Sequence, residues 1–312
     1  MASSLVVAID LGGTKTALAL VDEAGNISHR EVLPTRTFPN PEDWVRAVAQ
    51  KIEEARKTVA REKILAGIGI GAPSGNRFHG TLDFAPNMPW EGIVPLASML
   101  EATTGLPCTL DNDANAAAYG EWYYGAAQGC RDFIVLTLGT GLGSSFVCGG
   151  QMLYGHQGLA GEAGHIILVP NGRHCNCGRK GCAETYCSAT GFMTTWNELN
   201  KQAGRTPSPD ETPQQITALA ASGHSMALEA FRLTGEWLGL TLANCCAFSN
   251  PQKIVLSGGL SAAGEILMKP TRASFEQSLL RVYRGHVELC FSALPGQDAA
   301  LLGAASVFRK SF

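Results

Sequence analysis

Apolar residues along this chain follow two rhythms. Short apolar runs that stop at glycines or turn residues predict buried strands at Leu5–Asp10, Lys15–Val21, Ile64–Gly71, Cys108–Asp111, Phe133–Leu138, Ser144–Cys148 and Ile254–Ser257. A further strand is expected near Ile27–Pro34, after a hairpin turn at Asp22-Glu-Ala-Gly25. Helical spacing runs through Pro41–Ala60, where Trp44, Val45, Val48, Ile52 and Ala55 share one face. It recurs at Pro95–Thr104, Ala114–Tyr124, Ala189–Ala203, Pro213–Ala221, Ser225–Ser249 and Ala299–Phe308. Gly204–Pro213, with prolines at 207, 209 and 213, reads as a surface loop. Strands and helices in this succession predict an α/β chain.

Two segments echo each other. Val6–Thr14 and Phe133–Gly143 both read as strand, Gly/Thr turn, strand, which suggests two similar α/β domains facing a cleft. The length of 312 residues leaves room for two domains at about 150 residues each. The formal net charge of −3 speaks against a protein that lives by phosphate-backbone contacts, so no nucleic-acid partner is expected. No apolar run is long enough for a membrane span, and no basic segment precedes the first strand, so a cytoplasmic protein with reduced cysteines is expected. Cys108, Cys130, Cys148, Cys187, Cys245, Cys246 and Cys290 are scattered, mostly in apolar runs, and read as small core residues.

The 36 glycines cluster where chemistry is expected. In Asp10-Leu-Gly-Gly-Thr-Lys15, Gly12 and Gly13 allow a tight turn with N–H groups close to an anion. Thr14 adds a hydroxyl, and Asp10 is suited to holding Mg²⁺ through water; a plain hairpin with an Asx turn is the alternative. Leu138-Gly-Thr-Gly-Leu-Gly143 repeats the pattern with Thr140 and Gly141, and two such turns would grip a polyphosphate. Gly258-Gly259, placed between a strand and an expected helix, gives close approach to a flat or anionic ligand, or is simply a βα turn. In Asp111-Asn-Asp-Ala-Asn115, Asp113 is placed to act as general base on a hydroxyl. Asn112 can both donate to and accept from sugar hydroxyls; a helix N-cap explains one of these side chains but not all three. The Pro-flanked loops Gly71–Asn76 and Ala85–Trp90 hold Asn87 rigidly, with Trp90 read as core.

Cys175, Cys177 and Cys182 form C-x-C-x₄-C, preceded by His165. Three thiolates and an imidazole make a closed tetrahedral Zn²⁺ set, structural in kind, with His174 as a rival fourth ligand. Such an ion would also fix Glu162, His165 and Glu184 relative to one another, and a rigid polar trio suits polyol recognition.

Together, Asp10–Thr14, Asn112–Asn115, Leu138–Gly143, Gly161-Glu-Ala-Gly-His165 and Cys175–Glu184 resemble the ROK family of bacterial sugar kinases and repressors, in wording most like its glucokinase branch. The resemblance runs over essentially the whole chain. It implies an actin-like, hexokinase-like (ribonuclease H-like) fold with ATP and a hexose in the interdomain cleft. The small domain would be about 1–111 with the C-terminal helix at about 299–312, and the large domain about 112–298. It further implies Asp113 as catalytic base, and Gly75, Asn87, Asn112, Glu162, His165 and Glu184 as sugar ligands. Asp10, Gly12, Gly13, Thr14, Lys15, Thr140 and Gly141 would serve Mg-ATP phosphates, with Gly258 and Gly259 on the nucleotide side. His165, Cys175, Cys177 and Cys182 would hold zinc, and a homodimer or homotetramer would be the working form. The sequence departs from the family at Asp111, where Glu is frequent, and at Ser74, in a loop often written Pro-Gly. Which hexose is taken stays open among glucose, mannose, fructose, allose and the N-acetylhexosamines. The family's regulators carry an added DNA-binding helix-turn-helix; with the first strand at Leu5, none is expected here.

Overall fold

A computed structural model describes residues 4–58 and 63–309. In chain order it runs β1 (Ser4–Leu11), β2 (Thr16–Val21), β3 (Ile27–Leu33), α1 (Pro41–Thr58), β4 (Ile64–Ala72), β5 (Gly75–Asn76), β6 (Thr81–Asp83), β7 (Ile93–Val94), α2 (Leu96–Thr104), β8 (Cys108–Asn112) and α3 (Asp113–Tyr123). It continues through β9 (Phe133–Leu138), β10 (Leu142–Cys148), β11 (Gln151–Met152), α4 (Glu184–Cys187), α5 (Ala189–Gln202), α6 (Pro213–Ala221), α7 (Ser225–Ser249), β12 (Lys253–Ser257), α8 (Glu265–Ser278), β13 (Glu288–Phe291) and α9 (Ala299–Arg309). The chain forms two compact units, Met1–Gly129 with Tyr154–Ala160 and Ala293–Phe312, and Cys130–Leu153 with Gly161–Ser292. The helix expected over Pro41–Ala60 is seen to Thr58; its last two residues lie outside the described residues.

The echo between the two glycine segments extends to whole sheets. The first unit carries a five-stranded sheet in the order β3-β2-β1-β4-β8, the second one in the order β11-β10-β9-β12-β13. In each, the strand entering the glycine turn pairs antiparallel with the strand leaving it and parallel with a later strand. The second sheet thus repeats the pairing of the first, strand for strand.

Alternation along β1 explains its unbroken apolar run. Leu5, Val7, Ile9 and Leu11 face a core shared with Trp44, Val48 and Ile52 of α1. Val6 and Ala8 face the opposite core, shared with Leu301, Ala304, Ala305 and Phe308 of α9. A strand covered on both faces has no polar side to show. Trp90 is buried, meets Trp44 edge-on at 5.7 Å and donates its indole N–H to the Phe38 carbonyl at 3.1 Å, as its core reading requires. In the second unit, Ile134, Leu136 and Leu138 of β9 share one core with Phe231, Leu238 and Leu242 of α7, where the tilted rings of Phe192 and Phe231 meet at 4.4 Å. Among the described residues no helix is long and apolar enough to cross a membrane.

Three departures from the sequence pattern matter for the site. Strand β10 begins at Leu142, before the expected Ser144, so the second glycine turn shrinks to three residues. Helix α3 begins at Asp113, one residue early, which makes Asn112 its N-cap. A 3-10 turn over Gly259–Ala263 follows Gly258, and α8 starts only at Glu265, so the helix expected directly after the glycine pair comes later. That helix carries Pro270 inside it, which weakens its helical signal.

Candidate active site

In the first unit, the ends of β1, β4 and β8 deliver the polar residues. The parallel register sets Asp10 beside Gly71, and Gly71 beside Asp111. Beyond β1, the Gly12 N–H closes the turn on the Lys15 carbonyl at 3.0 Å, and Thr14 and Lys15 are exposed. Gly13 touches the loop that carries Asn87: a Cβ there would sit 2.0 Å from the Asn87 carbonyl oxygen. Gly13 and Asn87, far apart in sequence, therefore sit back to back. Gly75 is buried against the Asp111 carbonyl.

The Asp111-Asn-Asp113 trio divides its labour. Asp111 points inward and is completely buried. Asn112 caps α3, its Oδ1 accepting the Ala114 N–H at 2.9 Å, which leaves its amide N–H groups outside the cap. Asp113 is the first helical residue and solvent reaches it, while its Oδ1 accepts the same Ala114 N–H at 2.8 Å. Crowding by surrounding protein nevertheless pushes the Asp113 carboxyl above the ordinary range, against the pull of that backbone bond. Asp10 is raised too, by burial first, then by the neighbouring charge of Asp113, with Lys15 opposing. Two acids whose charges feel each other, one open to solvent, suit a base and an outer-sphere cation ligand.

In the second unit, Gly139–Gly141 forms the turn between β9 and β10, with Thr140 exposed. The turn is docked onto the α4–α5 corner. The Ala189 N–H donates to the Gly139 carbonyl at 2.8 Å, and the Thr190 hydroxyl donates to the Thr140 carbonyl at 2.8 Å. Glu184 joins two motifs: its Oε2 accepts the Leu142 N–H at 3.0 Å, and its Oε1 lies 3.8 Å from the Cys175 Sγ. Gly258 has φ +89° and lies so close to the Leu138 backbone that a Cβ would meet it at 2.7 Å, whereas Gly259 faces open space. Its positive φ and the packing of β12 on β9 both require a glycine at 258.

The His165, Cys175, Cys177 and Cys182 donor atoms all lie within 4.8 Å of one another; His174 stands outside that group, and its backbone pairs with that of Lys180 in an isolated antiparallel β-bridge. Zn–S bonds of about 2.3 Å and Zn–N bonds of about 2.0 Å set tetrahedral ligand atoms roughly 3.4–3.8 Å apart. The Cys177 and Cys182 sulfurs are 3.6 Å apart, and His165 Nδ1 is 3.7 Å from the Cys175 Sγ. Hydrogen bonding from Arg179 draws the Cys177 thiol down to about 6, while burial pushes Cys175 up to about 12. The donor set and its spacing fit zinc. Two surface hollows of about 400 and 440 Å³, beside Tyr186 and Pro270, are lined by none of the predicted site residues.

Several residues that hold the site carry no local signal in the sequence. Ser144 accepts the Ala163 N–H at 2.9 Å and donates to the Gly161 carbonyl, fixing the segment around the exposed Glu162. Arg173 ties the cysteine loop to the Thr185 and Gly191 carbonyls at 2.8 and 3.2 Å, to Thr195 and to Glu198, with its guanidinium 4.6 Å over the Tyr186 ring. Arg179 reaches back to the His165 carbonyl at 3.0 Å, and its place inside the cysteine motif was the one available clue.

The sequence pattern of the ROK family matches residues 6–311. A glucokinase from Streptomyces coelicolor is 37% identical over 319 aligned residues, covering 98% of each chain. An N-acetylmannosamine kinase from Salmonella typhimurium is 33% identical, covering 96% of each. Among solved structures, a ROK family glucokinase from Streptomyces griseus, in complex with glucose and AMPPNP, matches with a TM-score of 0.81 at 33% identity over 98% of this chain and 99% of that one. The two-domain α/β architecture is the actin-like, hexokinase-like fold expected from the motifs. Sequence pattern, relatives and fold agree along nearly the whole length, and this chain belongs to the ROK family.

Proposed function

We infer that this chain is an ATP-dependent sugar kinase that phosphorylates glucose on its 6-hydroxyl. The observation that carries the reading is Asp113: a carboxylate at the start of α3, open to solvent yet with raised proton affinity, following β8 in the same sheet whose strand β1 enters the Gly12-Gly13 turn. Asp113 accepts the proton of the sugar hydroxyl as the oxygen bonds to the γ-phosphorus and the bond from that phosphorus to the β–γ bridging oxygen breaks, releasing ADP. Phosphoryl transfer asks little covalent chemistry of the protein, so the remaining residues act by positioning and by charge. Gly12, Gly13, Thr14 and Lys15, with Thr140 and Gly141, take the phosphates. Asp10 would hold the Mg²⁺ of Mg-ATP, and Gly258 and Gly259 would face the nucleotide. Gly75, Asn87, Asn112, Glu162, His165 and Glu184 take sugar hydroxyls. His165, through Nδ1, and Cys175, Cys177 and Cys182 would hold zinc. With four protein ligands such an ion would supply structure, holding the loop between Glu162 and Glu184. By family resemblance the chain works as a homodimer or homotetramer.

A second substrate has a specific support, the 33% identity to an N-acetylmannosamine kinase. A coupled ADP-release assay with Mg-ATP across glucose, mannose, fructose, allose, N-acetylglucosamine and N-acetylmannosamine separates the two. Preference for glucose is expected. Preference for N-acetylmannosamine would keep the reaction and replace the substrate, and no turnover on any of them would overturn the kinase reading.

A further inference from the structure

Asp111 is completely buried, and the reaction described above does not use it. First-unit residues satisfy both of its oxygens. Oδ1 accepts the Asn112 N–H at 2.8 Å and the Asn115 amide at 2.9 Å. Oδ2 accepts the Tyr154 hydroxyl at 2.5 Å and lies 3.9 Å from the Arg77 guanidinium. The Tyr154 hydroxyl is also 2.9 Å from that of Tyr119, on α3, and its ring packs on Phe78 at 5.6 Å. Burial raises the proton affinity of Asp111, and these donors pull it back.

The contacts converge on the residues around Asp113. Asn112 precedes it, Asn115 follows two positions later, and Tyr119 lies on the same helix. The junction has one adjustable feature. The Ala114 N–H is shared between the Asn112 side-chain Oδ1, at 2.9 Å, and the Asp113 carboxylate, at 2.8 Å. Whatever fixes Asn112 decides how firmly the Asp113 carboxylate is tied to its own backbone and where it points. Asp111 fixes Asn112 through its N–H, and Tyr154 fixes Asp111. A buried carboxylate is an expensive device for filling space, because apolar residues of similar volume do so without a desolvation cost.

We propose that Asp111, held by the Tyr154 hydroxyl, is a positioning residue for Asp113, setting its direction through the Asn112 cap. The proposal rests on the reading of Asp113 as the base. Tyr154→Phe keeps the ring and its packing on Phe78 and removes a single hydroxyl. It should lower kcat about ten- to hundredfold, a larger change than any rise in KM for glucose, with KM for ATP within about twofold of the parent, because displacements on the order of 1 Å are felt on that scale. Asp111→Asn should do the same, and the double variant should be no slower than the slower single, since the two act as one unit. Parent kcat in the folded single variants, with only earlier unfolding, would make the network a scaffold and overturn the proposal. Raised KM for glucose at unchanged kcat would do so too, by making Asp111 a determinant of sugar affinity. If Asp111→Asn fails to fold, Tyr154→Phe alone decides. Asp113→Asn, measured alongside, separates the two levels: parent turnover there removes the base reading whatever Tyr154→Phe does.

Discussion

Replacing Gly13 by alanine adds one methyl group at a place where the structure has no room for it. The new Cβ would lie 2.0 Å from the Asn87 carbonyl oxygen and 2.9 Å from its carbonyl carbon. Contacts of a Cβ under 3.0 Å essentially do not occur, so the two loops must part by at least about 1 Å. The obstacle is backbone, which cannot rotate aside as a side chain can. Gly13 has no left-handed φ, so the penalty is steric alone. Overpacking of this kind costs about 1–3 kcal/mol of stability. A parting of about 1 Å between the phosphate turn and Asn87 should also cost roughly a hundredfold in kcat/KM. Kinetics by coupled ADP release, with glucose and ATP varied in turn, should show both KM values rising and kcat falling. Urea unfolding reads the stability. Gly259→Ala is the packing control: nothing lies within 4 Å of its added Cβ, so its unfolding midpoint should not move. A Gly13→Ala protein with parent stability and parent kcat/KM would refute the reasoning, since it would mean that the loops do not meet as described.

Asp113→Asn should bind glucose by calorimetry yet lose about 10²–10⁴-fold in kcat, the worth of a positioned base. Parent-like turnover would contradict the role. Because the Asp113 pKa is raised above the ordinary 3.8, kcat should fall with decreasing pH through that higher value. The folded protein also holds this proton more tightly than the unfolded chain. The stability linked to Asp113 is therefore full below the unfolded pKa and lost as pH rises through the folded one. Asp113→Asn should accordingly melt higher than the parent at neutral pH, with the gap closing at about pH 4; a gap that widens on acidification would contradict the shift. The parent should carry about one zinc per chain by elemental analysis, and Cys177→Ser and Cys182→Ser should each carry almost none, with KM for glucose rising more than KM for ATP. Stoichiometric zinc retained in both variants would remove the cluster from that role.

What the sequence determined was local or periodic. The strands β1, β9 and β12 were legible because they are covered on both sides or end in glycines, and α1 because Trp44, Val45, Val48, Ile52 and Ala55 recur at helical spacing and are all buried. The cysteine cluster was legible because its three thiols fall within eight residues, close enough for one loop to bring them together. Only the tertiary structure decided the rest. The family resemblance pointed to His165, but that His165 rather than the adjacent His174 reaches the three thiols depends on how the loop folds back from the 3-10 turn at Ala163–His165. The two-residue strands β5 and β7 are too short to carry a periodicity, and Pro270 masks α8. Gly13 against Asn87, Leu142 on Glu184 and Tyr154 on Asp111 join positions 74, 42 and 43 residues apart. No pattern along the chain encodes such pairs. The first and third arise where parallel pairing through β4 returns the ends of β1 and β8 to one edge of a sheet, the second where the turn between β9 and β10 docks on the α4–α5 corner.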